Sequence, residues 1–172
     1  GLPDGALIVT PCRGAKGNAL VKDKRIAVLT FTGSQEVGWR LRGEVWPGVR
    51  VILELGGNAG IVVHSDADLV AAAKAACRGG YAHAGQICIS VQRVYVQSGV
   101  YDKFMQLFKD LVSDLKVGDP MDDGTDVGPL IDKSSVDKTV DMVSQAVKAG
   151  ATLVAGGASK GNNIVEPAIL AD

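Results

Sequence analysis

Apolar and polar residues follow two rhythms along this chain, one typical of β-strands and one typical of amphipathic helices. Short apolar runs predict strands at residues 5–10, 25–31, 49–55, 61–63, 92–97 and 151–157, with another close to residue 172. Stretches with helical spacing predict helices at about 16–21, 34–43, 69–80, 100–116 and 134–148. Because strands and helices alternate without a repeat, the sequence predicts an α/β fold with a mostly parallel sheet.

The predicted helices differ in how clearly their ends are marked. Asp66 or Asp68 can cap the helix at 69–80, since a carboxylate there accepts a hydrogen bond from a first-turn amide. The polar segment 117–131, rich in aspartate and glycine, predicts a turn-rich connection to the last helix. One face of the helix at 100–116 carries its large apolar residues, namely Tyr101, Phe104, Leu107, Phe108, Leu111 and Leu115.

Composition narrows the classes of partner and site. The net charge of -1 gives no electrostatic reason to expect nucleic acid or an anionic membrane as partner, and the apolar runs are too short to span a bilayer. The three cysteines are widely spaced, and neither histidine completes a metal-ligand spacing with them. We therefore expect no metal site and no disulfide framework. Free thiols favour a reducing, cytoplasmic location.

Cys88 is the first candidate for chemistry. A free cysteine is most often a small buried hydrophobe, and Cys77, on the apolar face of an alanine-rich helix, fits that description. Cys88 instead follows the small residues Ala82, Ala84 and Gly85, which would let a ligand approach the backbone. Two interpretations stay open: a buried thiol, or a nucleophile presented on a loop.

Glu54 is the second candidate, near the end of the apolar strand at 49–55. A carboxylate in apolar surroundings is costly to bury unless it is paired, hydrogen-bonded or protonated. Glu54 either points into solvent or serves as a general base made more basic by its setting. Gly56 and Gly57 would let the chain turn away sharply and leave the carboxylate facing a cleft.

The segment FTGS at 31–34 joins a predicted strand to a predicted helix. Backbone amides at a helix N-terminus bind phosphate groups, and Ser34 would add a hydroxyl donor. Ser34 suits plain N-capping equally well. The chain has no GxGxxG or Walker sequence, so these patterns do not support a nucleotide site.

The order of these segments is more specific than any one of them. FTGS at 31–34, LELGG at 53–57 and GQICISVQR at 85–93 together resemble the aldehyde dehydrogenase superfamily. The resemblance extends over essentially the whole chain through YDKF at 101–104, KVGDPMDDGTDVGPLI at 116–131, GATLVAGG at 150–157 and VEPAIL at 165–170.

The resemblance implies oxidation of a small-molecule aldehyde to a carboxylic acid with NAD or NADP as cofactor. Cys88 is implied as the thiol that forms a thiohemiacetal and then a thioester, and Glu54 as the base that activates water for its hydrolysis. Glu54 also favours hydrolysis over acyl transfer to coenzyme A. Cofactor contacts are implied at Gly17, Gly33, Ser34 and Gly57. Gln86 is implied as a supporting residue.

Two segments depart from the family pattern. Pro11 and Arg13 stand where the family often has Gly-x-Gly, although Gly17 still matches. Arg13 would favour the 2′-phosphate of NADP. His83 stands where asparagine is frequent, and we expect a structural role for it, not a catalytic one.

The resemblance also implies a domain division. Residues 1–55 correspond to the last part of a cofactor-binding domain and residues 56–172 to most of a catalytic domain. Family members are much longer, so we expect a fragment, inactive alone, of an enzyme that forms homo-oligomers. Two other hypotheses stay open: a non-enzymatic binding or structural domain on the same scaffold, and a cofactor-free thiol esterase. Ester hydrolysis without nicotinamide would separate the esterase from the dehydrogenase.

Overall fold

The computed structural model describes residues 1–12 and 14–171. They form two compact units, one from Gly1 to Gly56 and the other from Gly57 onward. Each unit contains its own pair of parallel strands. The division falls one residue from the boundary predicted between residues 55 and 56. The roles of the two units as cofactor-binding and catalytic domains stay predictions.

The first unit is a short βαβ arrangement preceded by a helix. Its elements in chain order are α1 (Gly14–Val21), β1 (Val28–Thr32), α2 (Gln35–Glu44) and β2 (Arg50–Glu54). β1 and β2 pair in parallel, and one face of each is half-buried while the other is exposed. This alternation follows from the period of two along a strand.

The predicted strand at 5–10 is not formed, and that prediction is wrong. Leu7, Ile8 and Val9 are between 74% and 80% exposed. Among the described residues, no strand pairs with this segment. A strand is stabilised by hydrogen bonds to a neighbouring strand and by burial of one face, and here neither is present.

The second unit begins with the other parallel pair. Its longer elements are β3 (Ala59–Val63), α3 (Leu69–Tyr81), β4 (Val91–Val96), α4 (Tyr101–Ser113) and α5 (Lys133–Lys148). β3 and β4 pair in parallel. The core of this unit lies between that pair and helices α3 and α4, and its buried residues are Val63, Ala73, Ala76, Cys77, Phe104, Phe108, Val112 and Ile169. The predicted placement of Cys77 in the core is confirmed.

Shorter antiparallel strands complete the second unit. β5 (Thr152–Ala155) pairs with β8 (Ile169–Ala171), and β6 (Ser159–Gly161) pairs with β7 (Ile164–Val165). The β6–β7 pair was not predicted, because its strands are too short to show a period. The two longest strand pairs are parallel, so the predicted α/β class with mostly parallel pairing is confirmed.

Side-chain caps mark where the helices begin. Asp68 caps α3 by accepting from the amides of Val70 and Ala71, so Asp68 and not Asp66 is the cap. Asp66 instead pairs with His64. Of the helices within residues 1–12 and 14–171, none has the combined length and apolar character of a membrane span.

Candidate active site

Cys88 is exposed on a β-turn between α3 and β4. The Ser90 N–H donates to the Ile87 carbonyl at 3.1 Å, which places Cys88 and Ile89 at the two central positions of the turn. Ile89 is 73% exposed. Of the two interpretations of Cys88, the structure excludes the buried thiol and places the residue on a loop.

The backbone before this turn is left-handed over three consecutive residues. The φ angles are 51° at His83, 56° at Ala84 and 74° at Gly85. This region is strained for most side chains, but histidine and asparagine are enriched in it. The requirement gives His83 a structural reason to occupy a position where the related family often has asparagine. Strained backbone of this kind persists where the surrounding contacts hold it.

The side chain of Gln86 supplies such contacts. Its amide nitrogen donates to the His83 carbonyl at 3.1 Å and to the Pro129 carbonyl at 3.3 Å. Its oxygen accepts from the Ile131 N–H at 2.9 Å. These hydrogen bonds of Gln86 therefore join the segment before Cys88 to the end of the 117–131 connection. They give Gln86 a structural role next to Cys88.

Ser90 holds the other side of the turn. It is only 3% exposed, and its hydroxyl donates to the Gly80 carbonyl at 3.2 Å. Sequence reasoning did not single out this residue, since a serine two positions after a cysteine has no special signal. Only its burial beside the end of α3 reveals it.

At the start of the second unit, the backbone of Gly57 packs closely against the backbone of Cys88. A β-carbon on Gly57 would overlap the carbonyl oxygen of Cys88. The next residue, Asn58, accepts from Nε of Arg93 at 3.1 Å, which ties this segment to β4. Gly57 must therefore be glycine for a packing reason, and its predicted cofactor contact stays a prediction.

The other two cysteines differ from each other in accessibility. Cys77 is buried, and this burial, with a smaller contribution from Asp126, raises the pKa of its thiol. Cys12 is exposed like Cys88. Exposure thus separates Cys77 from Cys88 but does not separate Cys12 from it.

In the first unit, Glu54 and the FTGS segment lie next to each other. Glu54 is paired in register with Thr32, and the Gly33 N–H donates to the Glu54 carbonyl at 3.0 Å. The Glu54 side chain is exposed. The described residues of this unit therefore do not provide the apolar enclosure expected for a general base, because Glu54 ends its strand on the exposed face.

Ser34 caps α2, as one of its two interpretations expected. Its hydroxyl oxygen accepts from the Val37 N–H at 3.4 Å, and the backbone N–H groups of Gln35 and Glu36 lie in the same first turn. First-turn amides have no intrahelical partner and attract phosphate oxygens. The α2 N-terminus and the exposed Ser34 thus fit part of a dinucleotide pyrophosphate, although Glu36 adds a negative charge there.

The remaining positions predicted for the cofactor are glycines. A β-carbon on Gly33 would lie 2.5 Å from the tip of the Phe31 ring, whereas one on Gly17, inside α1, would meet no atom within 4 Å. Packing therefore favours glycine at 33, and it leaves open space at 17. Arg13 lies outside the described residues. Within the ranges that the structure describes, no group of three or more His, Cys, Asp or Glu residues forms a metal site.

Comparison with known proteins identifies the family of this chain. The aldehyde dehydrogenase family model matches residues 1–172. Over its whole length the chain is 41% identical to the NADP+ succinate-semialdehyde dehydrogenase of Escherichia coli K12 and to the glutarate-semialdehyde dehydrogenase of Pseudomonas putida KT2440, covering 36% of each. The crystal structure of succinate-semialdehyde dehydrogenase from Burkholderia pseudomallei superposes on 99% of this chain, with a TM-score of 0.92, 37% identity and 36% of that chain covered.

The match covers all of this chain but only part of each relative. The chain spans about a third of the length of the curated relatives it matches, while the family model and these relatives cover all of it. Both structural units lie inside the matched residues. The chain therefore belongs to the aldehyde dehydrogenase family.

Proposed function

We propose that this chain carries the nucleophile and the general base for NAD- or NADP-dependent oxidation of an aldehyde to a carboxylic acid. The observation that carries the proposal is the position of Cys88, exposed at the centre of a turn held on both sides by Gln86 and Ser90. A nucleophile must be accessible and held in place. The Cys88 thiol is exposed, and hydrogen bonds of Gln86 and Ser90 hold the backbone that carries it.

Cys88 performs the first step. Its thiolate attacks the aldehyde carbon, the new C–S bond forms, and the carbonyl oxygen becomes the oxyanion of a thiohemiacetal. The turn is closed by the Ser90 N–H and the Ile87 carbonyl, so the Cys88 N–H takes no part in closing it. That N–H is the donor we assign to the developing oxyanion.

Residues of the first unit hold the cofactor in this proposal. Ser34 and the first turn of α2 bind the pyrophosphate. The family resemblance adds cofactor contacts at Gly17 and Gly33. When bound, the nicotinamide supplies the hydride acceptor that the oxidation requires. The first unit is thus the cofactor-binding part of the chain and the second the thiol-bearing part.

Glu54 acts in the last step. The acyl group on Cys88 is a thioester, and the Glu54 carboxylate takes a proton from the water that attacks it. The C–S bond breaks, the carboxylic acid leaves, and the proton held by Glu54 passes to the departing thiolate, which regenerates the thiol. Supporting this role, the family resemblance at LELGG aligns Glu54 with the family base.

The substrate class follows the relatives. The two curated relatives described above are named for succinate and glutarate semialdehydes, each a short aldehyde with a carboxylate at its other end. We propose short semialdehydes as the first substrates to test. NAD+ and NADP+ should each be tested as the cofactor.

Two assays on the purified protein test the function. The first follows reduced nicotinamide by absorbance with each semialdehyde, in the wild type, Cys88→Ala and the matched control Cys12→Ala. Because we expect residues 1–172 to be inactive alone, the variants are made in a longer protein that contains them. There we expect turnover in the wild type and control and none in Cys88→Ala. Aldehyde-dependent turnover that survives Cys88→Ala would remove Cys88 from the mechanism.

The second assay needs no cofactor. A semialdehyde that forms a thiohemiacetal should protect Cys88 from iodoacetamide, as followed by peptide mass spectrometry, and should leave Cys12 labelling unchanged. Equal labelling of Cys88 with and without every aldehyde tested counts against the nucleophile. Glu54→Gln then tests the base: a first-turnover burst of reduced nicotinamide should persist while steady turnover falls by about 10²–10⁴-fold.

A further inference from the structure

Ser90 is a buried polar residue beside an exposed turn. Its neighbours Cys88 and Ile89 face solvent, yet Ser90 itself is 3% exposed. Its hydroxyl donates to the Gly80 carbonyl at 3.2 Å, and the Gly79 carbonyl lies 3.5 Å away. Both carbonyls belong to the last turn of α3, where carbonyl groups lack intrahelical partners. The serine hydroxyl therefore satisfies the end of a helix.

The same residue also closes the turn that carries Cys88. The Ser90 N–H donates to the Ile87 carbonyl at 3.1 Å. One donor of Ser90 thus forms the turn, and the other fastens the turn to α3. Without the second bond, the turn would be held on this side only by the start of β4.

The end of α3 is shaped to receive Ser90 and the following residue. A β-carbon on Gly79 would lie 2.7 Å from a methyl carbon of Val91, and one on Gly80 would lie 3.3 Å from the Val91 carbonyl. Two consecutive glycines therefore let the helix end approach the chain just after Cys88. The hydrogen bond from Ser90 lies inside this close contact.

We propose that Ser90 is a positioning residue for Cys88, and that its buried hydroxyl fixes the direction of the Cys88 thiol and backbone N–H. The inference rests on the proposed function for the role of Cys88 as nucleophile. Reacting atoms must be held close to the geometry of attack, and a displacement of about 1 Å can cost on the order of 10²-fold in rate. A loosened turn would misplace the nucleophile and the oxyanion donor together, because both belong to one residue.

The variants isolate the hydroxyl. Ser90→Ala removes it with little change of volume. Ser90→Thr keeps it and adds one methyl group, at a residue that borders a cavity of about 460 Å³. Thr139→Val is the matched control, since it removes another part-buried hydroxyl that donates to a backbone carbonyl, that of Ser135 at 2.8 Å in α5.

Two readouts are compared across these variants. Hydrogen exchange by mass spectrometry should show roughly tenfold faster exchange in the peptide containing residues 86–90 of Ser90→Ala, the change expected for loss of one buried hydrogen bond. Exchange in α4 should stay as in the wild type. In a longer protein that contains residues 1–172, assayed with a semialdehyde and cofactor, kcat should fall by about 10²-fold with little change in KM, and Ser90→Thr should restore both readouts.

The outcomes separate positioning from stability and from failure of the proposed function. Unchanged exchange at residues 86–90 in Ser90→Ala would overturn the proposal, as would an equal loss of kcat in Thr139→Val. If the wild type shows no dehydrogenase turnover even within a longer protein that contains residues 1–172, the proposed function fails. The exchange comparison of Ser90→Ala and Ser90→Thr then still decides whether the hydroxyl holds the turn.

Discussion

The α-carbon of Gly57 packs directly against the backbone carbonyl of Cys88. No side chain, not even a methyl group, fits between them. Two segments of the second unit that are far apart in sequence are thereby held backbone to backbone beside the thiol. The contact explains why position 57 is glycine without reference to any ligand.

Gly57→Ala should lower the free energy of unfolding by about 1–3 kcal/mol, since the new methyl group must displace the Cys88 carbonyl or the segment that carries residue 57. Chemical denaturation measures the change. Gly99→Ala is the control, because a β-carbon there meets no atom within 4 Å, and its effect should stay within about 0.5 kcal/mol. Equal midpoints for the two variants would show that the Gly57 contact is not tight.

Cys88 should be alkylated far faster than Cys77 in the folded protein. Cys77 is buried and its burial raises the pKa of the thiol, so it supplies little thiolate at neutral pH. Brief treatment with substoichiometric iodoacetamide, followed by peptide mapping, compares the sites. We also expect Cys88 to react faster than the exposed Cys12, because of its place in the proposed site. Preferential labelling of Cys77 without denaturant would contradict the prediction.

His83→Val should destabilise the protein, whereas His83→Asn should be nearly neutral. His83 has a φ of 51°, which asparagine adopts readily and a β-branched residue does not. The expected cost for valine is about 1–2 kcal/mol, measured by chemical denaturation. Since His83 is exposed, loss of packing contributes little to this difference. If His83→Asn lowers the free energy of unfolding as much as His83→Val does, the loss comes from the missing imidazole and not from the backbone conformation.

Tyr81 should make the protein lose stability at alkaline pH. Burial, with a smaller effect of Cys77, raises the pKa of Tyr81 above its ordinary value of 10.0, and its hydroxyl donates to the Ala168 carbonyl at 2.8 Å. A raised folded-state pKa gives stability that is complete below pH 10 and is lost as the pH rises above it, because the unfolded chain releases its proton first.

Tyr81→Phe tests this pH dependence. The variant should lose about 0.5–1.5 kcal/mol at neutral pH, because one hydrogen bond is missing, and should show a shallower loss above pH 10. Tyr101→Phe, at a 36% exposed tyrosine, is the control. Thermal melting across the pH range compares the three proteins. If stability falls equally steeply above pH 10 in all three proteins, the pKa of Tyr81 is not raised.

The features that the sequence determined by itself are those set within a few residues. The spacing of Phe104, Phe108 and their neighbours predicted α4, and the aspartates before α3 predicted a cap at Asp66 or Asp68, of which the structure shows Asp68. Helical periodicity and capping depend on residues three or four positions apart, so they are visible without the fold. The order of the FTGS, LELGG and GQIC segments likewise indicated the family, which the family model confirms.

Tertiary structure decided whatever depends on a partner distant in sequence. Residues 5–10 are as apolar as a true strand, but no described strand pairs with them, so they stay irregular. Gln86 forms hydrogen bonds with Pro129 and Ile131, and Ser90 forms one with Gly80. No local sequence pattern predicts these contacts. A hydrogen bond or a close packing contact exists only when the fold brings both groups together. For that reason the sequence could point to Cys88 as the candidate thiol, but only the fold shows which residues hold its turn in place.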